Sequence, residues 1–273
     1  LKSAPTIWTL VGIGLTSLIW CKRIRPQAIF ILLFTFFSLL AICPGFYFRF
    51  HYFILVLPAA ALLSGIAISA AVNLMPFCGS TVIKYGLPAF LAVICLSATV
   101  YQQRYYLFQM TPEQVSRETY GFNPFPESLE IAEYVRAHTA KEDRIAVMGS
   151  EPQIYFYSGR RSASRYIYMY PLMENHEFAV QMQKEMISEI ERAKPNIIIF
   201  FQVATSWLFM PDSHKLLLDW FNSYQKSHYY LVGLIEIFKD KTLYHWKPNW
   251  KRPPRSHTWI MVLNRKHEGI LPE

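Results

Sequence analysis

Four stretches of the chain, residues 6–21, 27–43, 52–72 and 85–101, are apolar almost without interruption. A helix needs about 20 apolar residues, and no fewer than roughly 17, to cross the hydrocarbon of a bilayer. The third stretch exceeds that length and the other three sit at its lower edge; short spans are tolerated by local thinning and snorkelling flanks. The pattern predicts about four transmembrane helices. Beyond residue 101 it changes. Residues 102–126, broken by Pro112, Pro124 and Pro126, predict an irregular linker. Residues 127–138 carry Ile131, Ala132 and Val135 at helical spacing, and 143–149 (DRIAVMG) predict a short buried strand. A helical turn over 151–158 ends at Gly159, in C-cap position.

A second strand is predicted over 163–168. A helix over 176–193 follows, with Phe178, Met182, Met186 and Ile190 on one stripe, and Pro195 stops it. Residues 196–201 (NIIIFF) form a continuous apolar run, as in a parallel strand covered on both faces. A helix over 212–225, with Leu216, Trp220 and Tyr224 at i+4 steps, precedes strands over 229–238 and 258–263. Alternating strands and helices imply a small layered α/β domain with right-handed crossovers. The expected organisation is a membrane all-α part over 1–104 and an extracytoplasmic α/β domain over 105–273.

Charge sharpens the partition. Residues 1–100 hold Lys2, Lys22, Arg23, Arg25, Arg49 and Lys84 but no Asp or Glu, so all 19 acidic residues lie later. A carboxylate at the centre of a span costs about 2.5–3.5 kcal/mol on insertion scales, which accounts for the gap. The net charge of +8 therefore reflects membrane topology rather than nucleic-acid binding. Lys22, Arg23 and Arg25 place the first loop in the cytoplasm by the positive-inside rule. The turn 44–51 then faces outward, the loop 73–84 inward, and everything after Tyr101 outward. The first apolar stretch has no cleavage-site pattern, and the chain reads as the C-terminal part of a longer plasma-membrane (inner-membrane) protein.

Cys21, Cys43, Cys78 and Cys95 all lie in the apolar part, with no CxxC pair, and no two of the eight histidines are three to five residues apart. Phosphate-loop, dinucleotide and nucleophile-elbow motifs are missing, so no cofactor or metal is expected. Two segments carry candidate chemistry. In the outward turn PGFYFRFHY, residues 44–52, Arg49 and His51 sit among aromatics beside Tyr52. This is either an interfacial aromatic belt with a snorkelling arginine or a site for a lipid-linked phosphate, which guanidinium binds bidentately. In 149–165, Glu151 and Tyr155 precede Arg160, Arg161 and Arg165, in a loop after a strand where α/β sheets place ligands. These residues contact substrate or another domain, or form a solvated loop in which Glu151 pairs with an arginine.

The stretch FRFHYFILVLPAAALLSG resembles the late transmembrane region of bacterial GT-C glycosyltransferases related to protein O-mannosyltransferases and the lipid A aminoarabinose transferase. ESLEIAEYVRAHTAKEDRIAVMGSEPQIYFYSGRRSASRYIY resembles their C-terminal extracytoplasmic domain. The resemblance implies a multi-span enzyme moving a sugar from a polyprenyl-phosphate donor to an extracytoplasmic acceptor, be it protein, lipid A or another glycan. It matches Arg49, His51 and Tyr52 to donor-phosphate binding. The acidic residue that such enzymes use, in an early outward loop, matches no residue here, so no catalytic residue is assigned. A non-enzymatic envelope protein and a lipid-sugar transporter remain the other readings.

Overall fold

In a computed structural model, residues 5–74, 80–247 and 253–266 are described. Lys2, Cys78 and residues 75–79 of the expected inward loop lie outside them. Contacts divide the chain into two compact units, Leu1–Met110 and Thr111–Glu273.

Among the described residues the first unit contains five α-helices: α1 (Pro5–Trp20), α2 (Ala28–Leu40), α3 (Leu57–Asn73), α4 (Thr81–Gln102) and α5 (Arg104–Phe108). A 3-10 segment, Phe50–Val56, runs directly into α3. With it, His51–Asn73 makes 23 helical residues, and α4 makes 22; both are long and apolar enough to cross a membrane. The first two predicted spans come out differently. They are helices of 16 and 13 residues, about 24 and 20 Å long at 1.5 Å per residue, against a hydrocarbon core of about 30 Å. A bend of 104° separates them.

Much of the apolar surface of this unit is open, with Ile19 74% and Val82 79% exposed. Apolar surface all round a helix is the mark of a lipid-facing or deeply buried one. Where helices do meet, small residues let them close in: Gly14 and Ser17 of α1 are buried against α3, whose buried face includes Ala59, Ala60, Leu63, Ala67 and Ala70. A Cβ added at Gly14 would lie 2.0 Å from the Leu63 carbonyl oxygen. This is the close-backbone packing of membrane helices, where burial from water contributes little to association.

The second unit holds a six-stranded mixed sheet in the order β2-β1-β3-β6-β4-β5. Its strands are β1 (Arg144–Met148), β2 (Arg161–Ser162), β3 (Ile197–Gln202), β4 (Tyr229–Ile237), β5 (Thr242–Trp246) and β6 (Thr258–Arg265). Its helices are α6 (Pro112–Tyr120), α7 (Phe125–Ala137), α8 (Gln153–Ser158), α9 (Tyr170–Met173), α10 (Ala179–Ala193), α11 (Ala204–Trp207) and α12 (Leu216–His228). β1 runs parallel to β2 and β3; β6 is antiparallel to β3 and β4, and β5 to β4. Period-two alternation sorts the core. Ile145, Val147, Ile197, Ile199 and Phe201 pack with Ile131 and Val135 of α7 and Ile154 of α8. Ala146, Met148, Ile198 and Phe200 face Met186 and Ile190 of α10 and Phe221 of α12.

Three expectations are corrected. Residues 102–126 are not an irregular linker, because α5 and α6 occupy most of them. Pro112 starts α6 rather than breaking it: the Thr111 hydroxyl accepts from Gln114 N–H, and the Gln114 side chain accepts from Thr111 N–H. A helix loses nothing by proline in its first turn, where N–H groups have no intrahelical partner. The strand expected over 163–168 does not form; the strand β2 is confined to Arg161–Ser162. There the Ser162 and Ser164 hydroxyls accept the N–H groups of Ser164 and Tyr166, satisfying locally what a ladder would have bonded. Finally, β5 was not foreseen; it follows β4 through a tight connection closed by Phe238 N–H to the Lys241 carbonyl, 2.9 Å.

Replacing Gly14 with alanine should force α1 and α3 apart and destabilise the first unit by about 1–3 kcal/mol, the usual range for overpacking. Thermal unfolding of the detergent-solubilised chain, followed by loss of α-helical circular dichroism, checks this; an unchanged midpoint would contradict the contact.

Candidate functional site

The turn between α2 and α3 is built on unusual backbone. Gly45, Phe46 and Phe48 have φ of 73°, 53° and 44°. Left-handed conformations at non-glycine residues cost about 1–3 kcal/mol each and concentrate where structure serves a site. Here they turn the rings of Phe46, Tyr47 and Phe48 outward, all three largely exposed. Arg49 then takes an extended conformation and caps the following 3-10 segment, its carbonyl accepting from Tyr52 N–H at 2.9 Å. Its guanidinium lies 5.4 Å from the Tyr47 ring centroid, in cation–π range. His51 is exposed and meets Tyr52 edge-on at 4.6 Å. One turn thus presents a guanidinium and an imidazole within three residues of each other, on a rim of aromatic rings.

The 149–165 segment resolves into separate roles. Gly149 follows β1 with φ 150°, and a Cβ there would stand 3.0 Å from the Phe201 Cβ, so the chain turns where only glycine fits comfortably. Glu151 is buried and pairs with no arginine among the described residues, contrary to the solvated-loop expectation. Its carboxyl instead accepts from the Ser206 hydroxyl and from the Gln153 amide, 2.6 Å. Burial pushes the carboxyl above its ordinary range; the Ser206 and Gln153 hydrogen bonds oppose this, and the nearby Glu127 carboxylate adds to it. The Tyr155 hydroxyl accepts from Val147 N–H (3.0 Å) and Ser162 Oγ (3.1 Å), fastening α8 across β1 and β2. Burial raises its pKa, only partly offset by those bonds.

The three arginines diverge. Arg160 is spent on the C-terminal end of α7: Nε and one terminal nitrogen reach Thr139 Oγ1 and its carbonyl, both at 2.8 Å. Further bonds of 3.1 Å reach the Arg136 and Ser158 carbonyls. A cation there complements the helix C-terminus and leaves little capacity for a ligand. Arg165 holds Glu189 of α10, Nε to Oε1 at 2.6 Å, with its own N–H on Oε2 at 3.0 Å. Burial would raise Glu189, but the bonds from Arg165 N–H, Ser164 and the guanidinium outweigh it and hold the carboxyl below its usual range. Tyr166 donates to Glu185 at 2.6 Å and is pushed up to about 12, first by burial and then by that bond. Arg161 stays exposed on β2.

A buried carboxylate went unrecognised in the sequence. Glu127 is fully buried, ion-paired with Arg117 of α6 and bonded by the Thr242 hydroxyl of β5. Its Oε2 has no hydrogen-bond partner among the described residues. The signal was available: 127, 131 and 135 are successive i+4 steps, so Glu127 lies on the same stripe as Ile131 and Val135. Ser128 links this group to the Glu151 network by accepting from Gln153 at 3.0 Å.

Two outcomes are expected. Arg160→Ala should cost about 2 kcal/mol, the loss of charge-assisted bonds from four acceptors, read by denaturant unfolding of the full chain. A carboxyl with a raised folded-state pKa makes stability fall as pH rises from its unfolded value, 4.5. Glu151→Gln removes that contribution, so its unfolding midpoint should drop less than the wild type's as pH rises above that value. Parallel pH profiles for the two chains would disprove it.

No protein-family model matches the chain, and no curated protein matches its sequence.

Proposed function

We propose that the chain is part of an integral membrane glycosyltransferase of the GT-C kind, which transfers a sugar from a polyprenyl-phosphate donor to an extracytoplasmic acceptor. The observation that carries the reading is the aromatic-rimmed turn with Arg49 and His51, set between two apolar helices. A departing polyprenyl phosphate develops negative charge, and fixed cationic donors stabilise it. A guanidinium matches two phosphate oxygens at once, and Tyr47 orients it through its ring face.

In this reading the first unit crosses the inner membrane four times. α1 and α2 are too short to span a bilayer of ordinary thickness upright, so they sit in a locally thinned region. The turn between them carries Lys22, Arg23 and Arg25, and the Arg25 guanidinium bonds the Ile19 carbonyl. That turn faces the cytoplasm, which puts the Arg49 turn and the α/β unit on the other side. Outside the cytoplasm nucleotide sugars are absent, which favours a lipid-linked donor. The carboxylate that deprotonates the acceptor is not among residues 1–100, so this chain contributes the phosphate half of the chemistry. The acceptor is a protein, lipid A or another glycan.

A second reading, a membrane-anchored envelope protein without enzymatic activity, draws support from the α/β unit. Glu151, Tyr155 and Arg160 are each satisfied internally. In cells making the gene product that carries this sequence, Arg49→Ala at normal expression should lower sugar transfer at least about tenfold, with His51→Ala intermediate. Full transfer by Arg49→Ala would remove the phosphate role and favour the second reading.

A further inference from the structure

The parallel register of β1 and β2 aligns Arg144 with Arg161. In a parallel pair, aligned residues point to the same face of the sheet. That face is the one covered by α10, because Ala146 and Met148 along β1, and Ala163 after β2, all pack in the cluster containing Met186 and Ile190. Two exposed like charges are therefore side by side at the rim of the sheet, an arrangement that is destabilising without a counter-charge. An open groove of about 650 Å³ begins there, lined by Arg144, Ser162, Ser164, Arg165, Glu189 and Arg192.

Its one carboxylate is already engaged: Glu189 holds Arg165 and accepts from Ser164. Arg144, Arg161 and Arg192 have no carboxylate within 4.0 Å among the described residues. Arg144 is held over β2 by a 2.7 Å bond to the Ser162 carbonyl, which fixes the guanidinium without neutralising it. Arg192 lies in the last turn of α10, where it complements the helix end but keeps its full charge.

We propose that this groove is an anion site for a phosphate-bearing ligand, with Arg144 and Arg192 as cations of its lining and Arg161, the register partner of Arg144, beside it. The site is independent of the sugar-transfer reading and of Arg49. It differs from the arginine cluster expected from sequence, since Arg160 docks on the end of α7 and Arg165, although it lines the groove, is paired with Glu189.

The test is calorimetric titration of inorganic pyrophosphate into the full chain carrying Arg49→Ala, in nanodiscs of neutral phosphatidylcholine. Changing Arg144 and Arg161 together to glutamine should weaken binding at least about tenfold, the scale of lost charge-assisted bonds. Arg192→Gln, on the helix and away from strand pairing, should weaken it about threefold or more, and Lys184→Gln, on α10 but outside the groove's lining, should stay within about twofold. Moving the protein to phosphatidylglycerol discs separates the sources. Weakened pyrophosphate binding there means that lipid headgroups compete for the groove, and unchanged binding means that the ligand is a free phosphate compound. Absence of binding by the parent chain in phosphatidylcholine, or equal affinity in parent and both arginine variants, overturns the site.

Discussion

The free energy needed to take a carboxylate out of water governs both units. In the first, the constraint is met by omission: none of residues 1–100 is acidic, and the exposed surface of α3 and α4 is apolar. In the second, it is met by enclosure. Glu127 is closed in by Arg117 and Thr242, Glu151 by Ser206 and Gln153, and Glu236 of β4 by the N–H groups of Arg255 and Ser256. An ion buried without such donors costs several kcal/mol. Each of these carboxyls therefore dictates what can stand next to it, and each joins segments distant in sequence. Glu127 connects α6, α7 and β5, and Glu236 holds the approach to β6 against β4.

Much of this layout was legible in the residues. β1 and β3 are short apolar runs of strand length, and α10 carries its stripe at i+4 intervals. What failed had specific causes. Pro112 reads as a breaker until the Thr111–Gln114 box makes it a starter. Serine at 162 and 164 ends a strand that the residue types around it favour, because short hydroxyl side chains bond their own main chain. β5 has only half-buried residues and therefore no clean alternation to detect. The order of strands, with antiparallel β6 between β3 and β4, is a tertiary decision that no local period encodes.

The candidate residues divide in the same way. A backbone position is legible, but the destination of a long side chain is not. Arg160, Arg161 and Arg165 lie within six residues, yet one docks on α7, one is exposed and one pairs with α10. Proximity in sequence suggested one cluster, whereas the pairing of β1 with β2 assembled another from Arg144 and Arg161. The turn holding Arg49 and His51 was found from composition alone. Its left-handed phenylalanines, which push the aromatic rim outward, required coordinates.

The place of β6 bears on how the second unit comes into being. It is the last of the described strands, yet it fills a central slot, hydrogen-bonded to β3 on one side and β4 on the other. Until residues 258–265 have left the ribosome, both neighbours keep a row of unsatisfied main-chain groups, the kind of edge that invites pairing with other chains. The two halves of the sheet thus wait, unjoined, for β6 to emerge. The sheet closes only once β6 has been made, through contacts of high sequence separation that form slowly.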